Sequence, residues 1–102
     1  MATVLVLFNL KPDVDVAAYE QWARAKDMPT VRGLPSVSGF EVMRTQSLLG
    51  SSATPPYQYA ELIEVPDMTA FGKDLGSDVV QAGAKAFQAF ADNPIFILCE
   101  KL

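Results

Sequence analysis

No histidine occurs in this sequence of 102 residues, and cysteine occurs once. Without histidine the chain lacks the one side chain that titrates near neutrality unperturbed, the usual base of a catalytic triad and the commonest metal ligand. A lone cysteine cannot close an internal disulfide, which fits a reducing compartment. Cys99 sits in the run Ile95-Phe96-Ile97-Leu98-Cys99, so a small core side chain is expected rather than a reactive thiol, because no cationic neighbour in sequence would favour the thiolate. A glycine-rich phosphate loop, a nucleophile elbow and a cysteine cluster are missing as well, which leaves nucleotide, zinc and iron–sulfur sites without support. No cofactor is called for. Positive charge is scarce: 8 Lys and Arg stand against 12 Asp and Glu, for a formal charge of −4. With those few cations scattered singly, no basic field exists to displace counterions from phosphates, and nucleic acid is not an expected partner. Long apolar runs are also absent. Val4-Leu5-Val6-Leu7-Phe8 has no basic flank and falls far short of the ~20 residues that cross a bilayer, so the expectation is a cytoplasmic protein with no membrane contact.

What is present describes a chain that folds. Half of the residues are apolar and 20% are charged, an ordinary globular balance, and residues 1–102 are expected to form one domain around one core. Thr3 to Leu10 is rich in Val, Leu and Phe and stops before Lys11-Pro12-Asp13, as a strand closed by a turn does. Asp13 or Asp15 can cap the helix that follows, whose Val16, Tyr19, Trp22 and Ala23 recur at helical spacing until Met28-Pro29 is expected to end it. Thr30 to Pro35 connects to a second strand over Val37 to Thr45. The loop 47–56 mixes Gly, Ser and Pro, and a third strand is expected from Tyr57 to Val65. Pro66-Asp67 opens a helical stretch punctuated by Gly72 and Gly76, Ser77 caps a helix carrying Val80, Ala84, Phe87 and Phe90 on one face, and Asn93-Pro94 closes it before a last strand from Ile95 to Leu102.

The order βαββαβ predicts an α+β, ferredoxin-like fold: a four-stranded antiparallel sheet, strand order 4-1-3-2, with both helices on one face. The other face should be polar if the chain works alone. Instead Val4, Val6 and Phe8 oppose Leu5 and Leu7, while Phe96 and Leu98 oppose Ile95, Ile97 and Cys99. Both faces are apolar, so the sheet is expected to pack on a second copy as a dimeric α/β barrel; a differently connected monomer that buries both faces is the alternative.

Any chemistry must then come from carboxylates, Tyr, Arg, Lys or Asn. Asn9, Glu41, Tyr57, Tyr59 and Glu61 all interrupt apolar strands at odd positions. A hairpin centred on the 47–56 loop could bring Glu41 beside Glu61, where repulsion under an apolar roof would raise one carboxyl toward neutrality and make it a general acid or base. Alternatively Glu41 lies on a solvated edge and Glu61 is paired with a cation. Tyr19 and Trp22 are candidates for the wall of a ligand pocket, or simply core. Asp27 and Arg32 could close its mouth or form an exposed salt bridge, and the 47–56 loop could act as a lid or as an ordinary hairpin tip.

The opening Val-Leu-Val-Leu-Phe-Asn-Leu-Lys strand, Tyr19 and Trp22, the stretch Asp27-Met28-Pro29-Thr30-Val31, Pro35-Ser36-Val37 leading to Phe40-Glu41-Val42, and Tyr57 to Val65 together resemble the RedY-like protein HapK family across most of the chain. The resemblance implies a homodimer of the dimeric α/β-barrel superfamily, associated with prodiginine biosynthesis, and a small hydrophobic pyrrolic or polyketide-like ligand. The reading that follows is a small-molecule-binding protein, potentially a cofactor-independent enzyme, with Glu61 and Glu41 as acid/base groups and Asn9, Tyr19, Trp22, Tyr57, Tyr59, Asp27 and Arg32 around the ligand. A non-catalytic dimeric accessory protein is the alternative.

Overall fold

A computed structural model describes residues 2–102. Strands β1 (Ala2–Leu10), β2 (Gly39–Arg44), β3 (Tyr59–Val65) and β4 (Ala91–Cys99) form one sheet in the order β2-β3-β1-β4. All three ladders are antiparallel. The fold is the α+β, ferredoxin-like arrangement expected from the order of elements.

The first helix runs further than its proline suggests. Helix α1 (Val16–Trp22) starts where the Asp15 carboxylate accepts the Ala17 N–H, widens into a π-helical turn over Ala23–Asp27 and continues as α2 (Met28–Arg32). A proline ring collides with the carbonyl four residues earlier and offers it no N–H. One extra residue in the preceding turn moves that carbonyl aside, and the Met28 N–H reaches back five residues to the Ala23 carbonyl. Helix α3 (Met68–Leu75) is capped by Asp67 and α4 (Asp78–Phe90) by Ser77, as the sequence predicts.

Strand β4 likewise begins before its expected start at Ile95. Its first residues, Ala91 and Asp92, already pair with Leu10 and Asn9; the ladder then slips past Asn93 and Pro94 and resumes at Ile95 opposite Leu7. Asn93 takes φ 47°, which asparagine tolerates, and the bulge spares Pro94 a ladder bond it cannot donate. Helix breakers at this point shape the strand rather than precede it.

Val6 and Phe8 are fully buried under the helices. Phe8 stacks on Tyr59 at 5.4 Å and meets the edges of Phe87 at 4.9 Å and Tyr19 at 5.7 Å. Such aromatic contacts add about 0.5–1.5 kcal/mol each beyond the area they bury. The opposite face carries Leu5, Leu7, Leu62, Met43, Ile95 and Ile97, of which the last two and Met43 remain about 40% exposed. Cys99 lies on this face, half-buried beside Thr3, and not in the core where its sequence setting suggested. Among the described residues no helix is long and apolar enough to cross a membrane.

Candidate functional site

Between α4, the π-helical turn with α2, and the helix-facing side of the sheet lies a cavity of about 490 Å³. Its wall is largely hydrocarbon: Trp22, Phe40, Phe87 and Phe96 contribute rings and Val6, Ile63 and Val80 aliphatic groups. The run Ala82-Gly83-Ala84 brings α4 to the cavity with almost no side-chain bulk, and a methyl group added at Gly83 would meet nothing within 4 Å. The π turn supplies Lys26 and Asp27, and α2 supplies Thr30 and Val31. The bulge forced by Pro29 therefore sits in the wall itself.

Glu61 reaches this cavity from the middle of β3. It is 5% exposed, and its Oε2 has no hydrogen-bond partner among the described residues. Burial, and then the charge of Asp27, pushes its carboxyl up to about 8. Burial raises Asp27 to about 6. At neutral pH Glu61 is thus chiefly protonated and Asp27 chiefly ionised, so the pair can both give and accept a proton where histidine would otherwise be needed. In the core next to the cavity, the fully buried Tyr19 hydroxyl also lacks a partner among the described residues, and burial, with smaller contributions from Glu61 and Asp27, keeps it protonated.

A second polar cluster stands two residues along β3. Arg44 grips Glu20 with two bonds of 2.7 Å, and the Tyr59 hydroxyl donates to the same carboxylate at 2.6 Å. These bonds hold Glu20 down to about 2, while burial, followed by the bond to Glu20, lifts Tyr59 to about 12. Both carboxylate oxygens of Glu20 and the Tyr59 hydroxyl are thereby bonded.

The residues singled out from the sequence divide accordingly. Glu61, Asp27 and Trp22 converge on the cavity. Tyr19 and Tyr59 lie in the core next to it and contribute no wall. Glu41 does not approach Glu61: the register pairs Glu61 with Val42 and Glu41 with Leu62, so the two carboxylates point to opposite faces, and Glu41 sits exposed 3.8 Å from Arg32. Arg32 spends its guanidinium on the Phe40 carbonyl, at 3.0 and 2.9 Å, and stays off the cavity. Asn9 ties down the end of the long loop, donating to the Pro56 carbonyl and accepting from the Gln58 N–H. Tyr57 is half-buried in that loop, and its carbonyl accepts from the Thr45 hydroxyl at 2.7 Å. The 47–56 loop supplies no cavity wall. Sequence reasoning passed over Lys26, Thr30 and Gly83. The cluster of small residues around Gly83 was the available signal, since a helix needs a reason to present so little bulk to a sheet. Among the described residues no group of three acidic, histidine or cysteine side chains is placed to hold a metal ion.

Comparison with known proteins supports the same frame. The model of the family described as REDY-like protein HapK matches residues 2–102. The crystal structure of HapK from Hahella chejuensis is 30% identical with a TM-score of 0.78, the alignment covering 100% of this chain and 93% of that one. An EthD family protein from Bacillus halodurans shares 16% identity and a TM-score of 0.77, with 100% of each chain covered. A dimeric protein of unknown function and ferredoxin-like fold from Bacteroides fragilis shares 16% identity and a TM-score of 0.68, over 98% of this chain and 95% of that one. The last two are likenesses of fold. No curated protein matches the chain significantly.

Proposed function

From the premise that the chain belongs to the REDY-like protein HapK family, we propose that it binds a small hydrophobic aromatic or pyrrolic intermediate of secondary metabolism, prodiginine-like or polyketide-like, and transforms it by carboxylate acid/base chemistry. One observation carries this reading: a buried carboxyl whose Oε2 has no hydrogen-bond partner among the described residues forms part of the wall of a largely apolar cavity of about 490 Å³. An unpaired buried carboxyl is costly to fold around, and a group kept at such cost beside a cavity has a task there. Glu61 acts as the proton-transfer group, Asp27 sets its proton affinity, and Trp22, Phe87 and Phe96 supply the flat walls that receive a ring system.

The working unit is a homodimer in the cytoplasm. Its support is the apolar face of Leu5, Leu7, Leu62 and Ile97, which no helix among the described residues covers, together with the dimeric state stated for the similar Bacteroides fragilis protein. Native mass spectrometry of protein from the producing cell tests both parts, with a dimer carrying excess small-molecule mass as the expected outcome. Replacing Glu61 by Gln should lower turnover of that molecule by about a hundredfold or more, the usual scale for losing a positioned acid/base. Full activity in Glu61→Gln would overturn the assignment.

A further inference from the structure

We propose that the cavity selects a lipophilic cation: a flat aromatic or heteroaromatic group bearing one protonated nitrogen, seated beside Gly83 with the nitrogen against Glu61 and Asp27. This rests on the small-molecule reading above and narrows its ligand class.

The charge inventory of the wall carries the argument. Its ionisable side chains are Glu61 from β3 and Asp27 and Lys26 from the π turn; β1, β2, β4, α2 and α4 present only apolar groups and the Thr30 hydroxyl. Tyr19, in the core next to the cavity, stays protonated and adds no charge. Lys26 is exposed on the π turn, where its long side chain can carry the ammonium into water, and it pairs with neither carboxylate. The four ion pairs among the described residues leave both Glu61 and Asp27 without a cation within 4.0 Å. The interior of the cavity therefore carries acidic groups with no internal counter-charge.

Three ligand classes meet this wall differently. An anion would add to the repulsion that already opposes ionisation. A neutral ligand can bond to the protonated carboxyl but leaves the Asp27 charge unbalanced. A cation offsets that charge and favours ionisation of Glu61, and the faces of Trp22, Phe87 and Phe96 attract it through their quadrupoles. The absence of bulk at Gly83 leaves a slot for the ring that carries the nitrogen. Because Glu61 starts chiefly protonated, binding a cation should expel a proton.

Calorimetric titration of the intact protein at neutral pH with naphthylmethylammonium, naphthylmethanol and naphthoate tests this. The ammonium should bind roughly tenfold more tightly than the alcohol, and naphthoate most weakly. Heats measured in phosphate and in Tris should differ by the ionisation heat of the proton released. Glu61→Gln should bring the ammonium down to the affinity of the alcohol, and Asp27→Asn should lower it while the circular dichroism stays native. Equal or tighter binding of the alcohol, or a preference for ammonium that survives both substitutions, would overturn the cation assignment and leave the small-molecule reading standing. Binding of none of the three would overturn both.

Discussion

Tyr59 and Glu61 stand two residues apart on the same face of β3, yet their surroundings are opposites. The Tyr59 hydroxyl has found a partner: it and the Arg44 guanidinium both close on Glu20, which is thereby stabilised as an anion. Around Glu61 nothing has been paired, and the carboxyl is destabilised as an anion by burial and by Asp27. A satisfied network stabilises a fold and is chemically quiet, whereas an unsatisfied group of the same type is a liability to the fold and available to a ligand. The comparison separates a carboxylate committed to the fold from one left without a partner among the described residues.

The largest effect should come from removing the destabilised charge. The folded-state pKa of Glu61 lies near 8, above the ordinary carboxyl value of 4.5, so its neutral form is the one the fold tolerates. Stability is then fully present below about pH 4.5 and declines as the pH rises through about 8. Glu61→Gln should flatten that decline and make the protein more stable than the parent at alkaline pH, by up to a few kcal/mol, in denaturant titrations across the range. A variant less stable at every pH would break the contrast, because it would mean that Glu61 is paired after all.

The Tyr59 side should respond in the opposite sense. Glu20 is held near 2, below its usual 4.5, so its contribution is present above about pH 4.5 and is lost as the pH falls through about 2. Arg44→Ala should destabilise the protein only modestly at neutral pH, because the arginine side of the pair is exposed and screened by water, and leave ligand binding unchanged. Thermal melts and binding titrations on one sample check both halves. At Gly83, a helical position whose added methyl meets open space, Gly83→Ala should stabilise by about 0.5–1 kcal/mol, while Gly83→Leu, read by a binding titration, should fill the slot and weaken ligand binding. The smallest effect is expected at Glu41, whose exposed pair with Arg32 at 3.8 Å is worth about 0.5 kcal/mol or less by chemical denaturation. A large loss of activity in Glu41→Gln would return that residue to the site.

Much of the fold was legible because strand alternation, caps and turn residues are local signals. Asp15, Asp67 and Ser77 cap helices where the sequence placed them. Pro29 and Pro94 depart from expectation for a shared reason: local rules place a terminus at each, and each is absorbed by inserting one residue, in a π turn and in a β-bulge. Local propensity states that regular hydrogen bonding fails at a proline; it does not state whether the chain stops or detours. Of the site, the sequence pointed to Glu61, Trp22 and Asp27 and wrongly joined Glu41 to them.

By itself, then, the sequence determined the order of elements, the apolar character of both sheet faces, the absence of histidine and the presence of a carboxylate inside an apolar strand. Tertiary structure alone decided which carboxylates meet. Glu41 and Glu61 are separated by a register of one residue, which a period-two strand converts into opposite faces, while Asp27, at the end of the π turn, lines the same cavity as Glu61 and adds to the rise of its pKa. Whether a carboxyl is paired or left alone depends on groups that are distant along the chain, and that distance closes only when the sheet and helices pack.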